Sequence, residues 1–343
     1  MRLFKSFLFL LILFGCTNKD KINKTPSIKK EIYNGPIIDM HLHADGKDDI
    51  PPVKMGFCTP VSTMLPYYDT RQDFNDVWDD LFANPKCDNP FWSPKNYEDY
   101  INQVESKLTE NKVIAVASGT IDNVRYFKSK MPNNIISGIQ FRVGRDSISA
   151  EEMRTIILEN DIKIIGEISN QYGNIAPNDP RMFPYYRLAE ELDIPVAIHL
   201  GSGLPGIMYY WEPEYRAKLS NPMALEEVLR KFPKLRVSIM HYADPFIDEL
   251  ITMLYHYPQL YIDLGGIQWN YPREYFYEYH LKKIISAGFG KRIMFGSDMI
   301  IWPDFIPHSI EIINETPFLS YEQKADIFYN NAARFLRLEE NEK

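Results

Sequence analysis

Pro36-Ile-Ile-Asp-Met-His-Leu-His-Ala44 is apolar and β-branched until its end, where two histidines stand one residue apart. β-Branched residues pack well on a pleated surface, so this stretch reads as a short buried strand. Alternate side chains of a strand point the same way, so His41 and His43 face one side and Leu42 the other. Two imidazoles on one face at the C-terminal end of a strand make half of a divalent-metal site. No Gly-x-Gly-x-x-Gly comes after it, which argues against a doubly wound, dinucleotide-binding sheet.

Beyond this strand, residues 45–95 are rich in Pro, Asp and Tyr and lack periodicity. That is too long for a simple connection, so it is expected to be a lid or pocket wall. Tyr97, Tyr100, Ile101, Val104 and Leu108 then recur at helical spacing. A rhythm sets in from there. Strands are expected at 113–117, 135–141, 162–168, 194–199, 235–241, 260–264 and 292–295. Helices are expected at 121–130, 150–160 behind a Ser149/Glu152 capping box, 181–192, 223–232, 245–255, 275–287 and 321–336. Short apolar strands alternating with amphipathic helices indicate a parallel sheet covered by helices. Eight strand–helix units point to a closed (β/α)8 TIM-type barrel with a long insertion after strand one.

The charge of −8 argues against a nucleic-acid groove, which needs a basic stripe. The 22 Tyr, 20 Phe and 5 Trp suit a lined small-molecule pocket and equally a well-filled core. A small-molecule substrate is the expected partner, and oligomeric state stays open.

Arg2 and Lys5 precede an apolar run from Phe7 to Phe14 that is too short to span a bilayer. Leu13-Phe14-Gly15-Cys16 resembles the bacterial lipobox, which implies a signal peptide at 1–15 and lipidation of Cys16. Losing Arg2 and Lys5 would take the charge from −8 to −10. Residues 16–34, lysine-rich and polar, read as a flexible tether to a domain spanning 35–343. The expected location is the bacterial cell envelope, lipid-anchored at the outer membrane and facing the periplasm or the surface. Cys58 and Cys87 remain in a disulfide-permissive compartment and are expected to pair, with two free thiols as the alternative.

Barrel active sites lie at the C-terminal ends of the strands. Strand one ends in His41 and His43, strand four in Glu167, strand five in His199, strand six in His241 and strand eight in Asp298. These six imidazole and carboxylate groups should share one barrel mouth. Imidazole and carboxylate ligands without thiolates suit zinc, with manganese or iron as alternatives.

The set Asp39-Met-His41-Leu-His43, Gly166-Glu167, His199-Leu-Gly201, His241 and Gly296-Ser-Asp298 resembles the metal-dependent amidohydrolase superfamily, more narrowly its amidohydrolase-related branch. The tail Asn331-Ala-Ala-Arg-Phe-Leu336 resembles that branch's closing helix, and the resemblance runs from Pro36 to Leu338. It implies that His41, His43 and Asp298 bind a buried metal and that His199 and His241 bind a second one. Glu167 would take the bridging position held in other branches by a carbamylated lysine. Many members use one metal only. The residues after Glu167 match no recognised pattern, and Tyr242-Ala-Asp244 comes after His241 where a glycine is common. Lys163 lies deeper on the same strand and is expected at the barrel floor.

A divalent ion would acidify water and polarise a carbonyl or phosphoryl group, with Asp298 as the proton carrier. Candidate substrate contacts are Arg142, Tyr172, Trp211, Trp269 and Trp302, each located after a strand. For the aromatics, packing under a loop is the alternative. His308 is a weaker candidate, His256 and His280 are expected on the surface of outer helices, and Asp263 is expected to point inward. The leading reading is a metal-dependent hydrolase of a small amide, ester, lactone or phosphoester. A mononuclear non-oxidative decarboxylase, with Arg142 binding the carboxylate, is the alternative within the fold. An inactive binding lipoprotein is the alternative outside it.

Overall fold

The computed structural model describes residues 31–338. The expected signal peptide, the lipidation site Cys16 and most of the expected tether lie outside the described residues. The strands are β1 (Ile37–His43), β2 (Gly56–Phe57), β3 (Phe91–Trp92), β4 (Val113–Ser118), β5 (Ile135–Phe141), β6 (Ile164–Ile168), β7 (Val196–His199), β8 (Val237–Met240), β9 (Leu260–Asp263) and β10 (Ile293–Met294). Eight of them form one parallel sheet in the order β1-β4-β5-β6-β7-β8-β9-β10. Its two edges meet where Met40 N–H donates to Phe295 O at 2.9 Å and Asp298 N–H donates to His41 O at 2.8 Å. The result is the expected (β/α)8 barrel, with helices in the connections between its strands.

The crossover helices cover the sheet with apolar stripes. Helix Tyr97–Glu110 is capped by Asn96, whose side chain accepts from Asp99 N–H at 3.0 Å, and buries Tyr100, Ile101, Val104 and Leu108. Each such side chain contributes roughly 1.5–3 kcal/mol of burial before conformational entropy is counted. The Ser149/Glu152 capping box opens helix Ala150–Glu159. Ile38, Met40, Val116, Ile164, Ala197, Met240 and Met294 form a separate cluster inside the barrel. Ala332, Ala333 and Phe335 of the last helix close it at the floor, where Asn331 donates to Ile293 O at 2.7 Å.

Strict alternation fails at two strands. The register shifts in β1 between Asp39 and Leu42, and in β6 between Ile165 and Ile168. A bulge adds one residue and re-aims the side chains beyond it. Met40 fills the interior while the next residue, His41, also turns inward at the mouth, and Glu167 shares the inner face with Ile164.

Three helical regions differ from the expected pattern. A helix at Phe305–Asn314 was not expected from sequence, because Pro307 interrupts its apolar run. Proline is tolerated there because it lies in the first turn. The expected helices at 275–287 and 321–336 contain π turns at Phe276–Leu281 and Asp326–Asn330, which a 3.6-residue period does not register.

The 45–95 insertion carries a helix, Phe74–Ala83, and the antiparallel pair β2–β3. Cys58 and Cys87 are joined by a disulfide within it. Phe57 is fully buried against Phe82, Trp269, Trp302 and Phe305, with ring centroids 4.7–6.0 Å away. Trp78 donates to Pro205 O at 3.1 Å. The insertion thus packs on the loops after β7, β9 and β10 and walls the barrel mouth. Among the described residues no helix is long and apolar enough to cross a membrane.

Candidate metal centre

All six strand-end residues meet at the barrel mouth. Their ligand atoms form three groups, His41–His43–Glu167, His41–His241–Asp298 and Glu167–His199–His241, each with all its atoms within 4.8 Å of one another. The two Glu167 oxygens divide between the histidines. Oε2 lies 3.6 Å from His43 Nε2, while Oε1 lies 3.6 Å from His241 Nε2 and 3.8 Å from His199 Nε2. Asp298 Oδ1 accepts from His43 Nε2 at 3.1 Å and lies 3.5 Å from His41 Nε2.

The far side of three imidazoles is pinned. His199 Nδ1–H donates to Gln171 Oε1 at 3.0 Å and His241 Nδ1–H to Gly265 O at 2.9 Å. His41 Nδ1 faces Asp263 Oδ1 at 3.4 Å. A proton held at Nδ1 leaves the Nε2 lone pair free, as a metal-binding imidazole requires. The amide of Gln171 is itself oriented, because its Nε2 donates to Ser220 Oγ at 2.8 Å and to Gly201 O at 3.1 Å. Nε2 of His41 and of His241 is buried without a hydrogen-bond partner. Such unpartnered buried nitrogens are costly unless something else satisfies them, and a cation fits the four imidazoles and two carboxylates around them.

Backbone conformation supports this aim. His241 has φ 56° and Asp298 φ 51°, in the left-handed region that side chains disfavour. Such strain costs on the order of 1–3 kcal/mol per residue and persists where the surroundings over-determine it. The space is equally tight: a Cβ at Gly201 would stand 2.2 Å from His241 Cβ, and one at Gly265 2.3 Å from His41 Nδ1.

Burial opposes every charge here, but neighbours mostly override it. Burial raises Glu167, yet His241, His199 and His43 hold it well below the usual carboxylate range. Burial also raises Asp298, and His41 with the His43 hydrogen bond brings it below that range. His41 is depressed by burial but pulled up to about 10 by Asp298 and Asp263. His43 is likewise depressed by burial and pulled up to about 9 by Asp298 and Glu167. Burial and the charge of His241 drive His199 down to about 3, so its imidazole stays neutral. Protonated His41 and His43 thus balance the two ionised carboxylates, and a divalent cation held here would take the place of those protons.

The remaining candidates separate. Tyr172 stands against His199 with ring centroids 4.6 Å apart. Arg142 is bound bidentately by Glu212 at 2.8 and 3.0 Å, and its guanidinium lies 5.4 Å from the Tyr172 ring centroid. Trp211 is half-exposed and stacks on Phe82. Trp269 and Trp302 do not line the mouth. Both are buried beneath loops and donate to Ser297 O and Met55 O. His308 pairs with Thr59 in the insertion wall, and His256 is exposed. Lys163, expected at the barrel floor, pairs instead with Asp161 at the surface. Asp263 points inward, as expected, and accepts from Gly265 N–H at 2.9 Å.

His280 corrects the expected surface placement. It is fully buried and donates to Asp244 Oδ1 at 2.8 Å, because it lies within a π turn that rotates the helix's inward face. Gln171 was missed, since an amide in an irregular segment carries no sequence signal of its own. Asp244 was read only as a departure from pattern.

The amidohydrolase family model matches residues 38–338. No curated protein sequence matches the chain. Among solved structures, an uncharacterized TIM-barrel protein from Bordetella bronchiseptica is similar, with 20% identity and a TM-score of 0.59 over 88% of this chain and 99% of that one. A 5-carboxyvanillate decarboxylase from Sphingomonas paucimobilis has 14% identity and a TM-score of 0.54, over 88% and 99%. A probable 2-pyrone-4,6-dicarboxylic acid hydrolase from Acinetobacter baumannii has 14% identity and a TM-score of 0.53, over 88% and 100%. At these identities the solved structures speak for the fold alone. With its barrel closed, its His/Glu/Asp clusters at the mouth and the family model spanning almost all of the described residues, the chain belongs to the amidohydrolase family.

Proposed function

We propose that the chain is a metal-dependent hydrolase of a small amide, ester, lactone or phosphoester, with a site for two divalent ions. One observation carries this reading: the two oxygens of Glu167 face different histidines, Oε2 toward His43 and Oε1 toward His199 and His241. A carboxylate shared in this way suits a bridge. His41, His43 and Asp298 would hold one ion, His199 and His241 the other, and zinc fits the donor set best, with manganese or iron next. When bound, the metal supplies Lewis acidity toward a carbonyl or phosphoryl oxygen and acidifies water.

The protein's own groups do the rest. Asp298, held ionised, accepts the proton of the attacking water and returns it to the leaving group. Asp39 keeps the strand ends in register by accepting from His41 N–H at 3.0 Å and Ser297 N–H at 2.9 Å. Tyr172 packs against His199 and shields it from bulk water. The decarboxylase alternative needs a free arginine for the carboxylate, and Arg142 is already neutralised by Glu212. The same reading has the domain carried at the cell envelope on a lipid-modified Cys16. The mass of the mature N-terminal peptide tests that part, and an unmodified Cys16 would sink it.

The deciding experiment is metal content per chain by elemental mass spectrometry, for wild type and Glu167→Ala purified without chelators. Two ions falling to one or fewer supports the bridged hydrolase. One ion in both removes Glu167 from the ligand set and raises the decarboxylase reading. No metal in either, despite added zinc or manganese, ends the enzymatic account.

A further inference from the structure

Beside the metal centre lies a cleft of about 220 Å³ between the insertion and the loops after β7 and β9. Val61 and Pro205 supply apolar walls, and Ser62, Ser202, Asn270 and Tyr271 supply the polar groups. The cleft adjoins the centre through Gly266. A Cβ there would stand 2.8 Å from Asp298 Oδ2, 3.3 Å from His241 Nδ1 and 3.7 Å from Asn270 Nδ2.

The direction of the hydrogen bonds decides what this cleft can hold. Ser202 Oγ–H donates to Asp244 Oδ2 at 2.6 Å, and Tyr271 O–H donates to the same oxygen at 2.7 Å. Each hydroxyl has a single proton and spends it on Asp244, so toward the cleft each presents only lone pairs. The Asp244 carboxylate is buried, and its other oxygen accepts from His280. Asn270 is half-buried, and among the described residues its amide has no hydrogen-bond partner. It can both donate and accept. No lysine, arginine or histidine lines the cleft. A carboxylate, which only accepts, would face two acceptors and a buried like charge, whereas a carboxamide N–H or a hydroxyl would find partners.

We infer that this cleft is the substrate's recognition subsite, that it takes a hydrogen-bond-donating group such as a carboxamide or hydroxyl and rejects a carboxylate, and that the donor-spent hydroxyls of Ser202 and Tyr271 set this preference. The inference rests on the reading of the adjacent centre as a hydrolase site.

The test titrates zinc-loaded protein with N-acetylglycinamide and with N-acetylglycine, which differ only in an amide against a carboxylate, by ligand-observed NMR. The amide should bind about tenfold tighter. Ser202→Ala with Tyr271→Phe, which removes both lone-pair-presenting hydroxyls, should abolish the difference, and Ser62→Trp, a substitution at an exposed position that fills the cleft from the insertion side, should weaken the amide by a similar factor. Equal or tighter binding of the carboxylate, no binding of either probe, or an amide affinity unchanged in both variants overturns the inference. Zinc content measured on the same samples keeps the two readings apart. A protein that binds no zinc yet still prefers the amide loses the hydrolase reading and keeps the subsite.

Discussion

The disulfide between Cys58 and Cys87 should be a main stabiliser of the insertion, and its contribution can be worked out. The bond joins residues 29 apart in sequence, next to Phe57 and just beyond helix Phe74–Ala83. Closing a loop of that length removes unfolded-chain entropy worth about 3.6 kcal/mol at 25 °C in the loop-closure account. At roughly 2 cal/mol/K per residue over the ordered chain, this corresponds to a melting shift of about 6 °C. The perturbation is Cys58→Ser with Cys87→Ser, compared with oxidised wild type by thermal circular dichroism at constant metal loading. We predict a drop of about 6 °C and the same drop when wild type is reduced. Midpoints within about a degree would refute the reasoning, because the insertion would then unfold apart from the barrel and its cross-link would not constrain global unfolding. Proteolysis distinguishes that case, since a separately unfolding insertion would be cut between residues 59 and 86 while the barrel stays whole.

Three further outcomes are expected. His280→Ala leaves the buried Asp244 carboxylate without one of its three partners and should cost about 3–5 kcal/mol in urea unfolding; a loss under about 1 kcal/mol would show that Ser202 and Tyr271 suffice. Asp244 is raised by burial but brought below its ordinary value by His280 and Ser202, so its contribution should be fully present above the unfolded carboxylate range and be lost as pH falls through the lower folded value. Unfolding curves from pH 6 down to pH 3 check this, and an Asp244→Asn variant that loses stability as steeply as wild type would contradict it. Gln171→Leu removes the acceptor that pins His199 Nδ1 and should weaken metal retention about 10–100-fold in a chelator competition, with little change in fold; retention equal to wild type would remove Gln171 from the site's support.

Much of the barrel was legible because its strands are short apolar runs and its helices carry one apolar stripe each. The run at Ile135–Phe141 and the stripe Tyr100, Ile101, Val104 and Leu108 state their burial through composition and spacing alone. The helix at Phe305–Asn314 was not legible, because a first-turn proline is compatible with a helix but does not announce one. His280 was misjudged for a related reason: one π turn shifts a helix's phase, and the energy that permits it comes from packing.

The six ligand candidates were visible for a topological reason. In a parallel barrel every strand ends at the same rim, so residues at strand ends become neighbours whatever their separation in sequence. Sequence alone thus determined the barrel and the identity of His41, His43, Glu167, His199, His241 and Asp298 as one group. Tertiary structure alone decided how they are aimed. The bulges in β1 and β6 break the two-residue period, so the inward faces of Met40 and His41, or of Ile164 and Glu167, cannot be read from alternation. The acceptors that pin the imidazoles, Gln171 and the Gly265 carbonyl, come from other segments of the chain. So do Glu212, which neutralises Arg142, and Asp244, which turns Ser202 and Tyr271 into acceptors. A hydrogen bond has a direction and a partner, and both exist only once distant segments have been brought together.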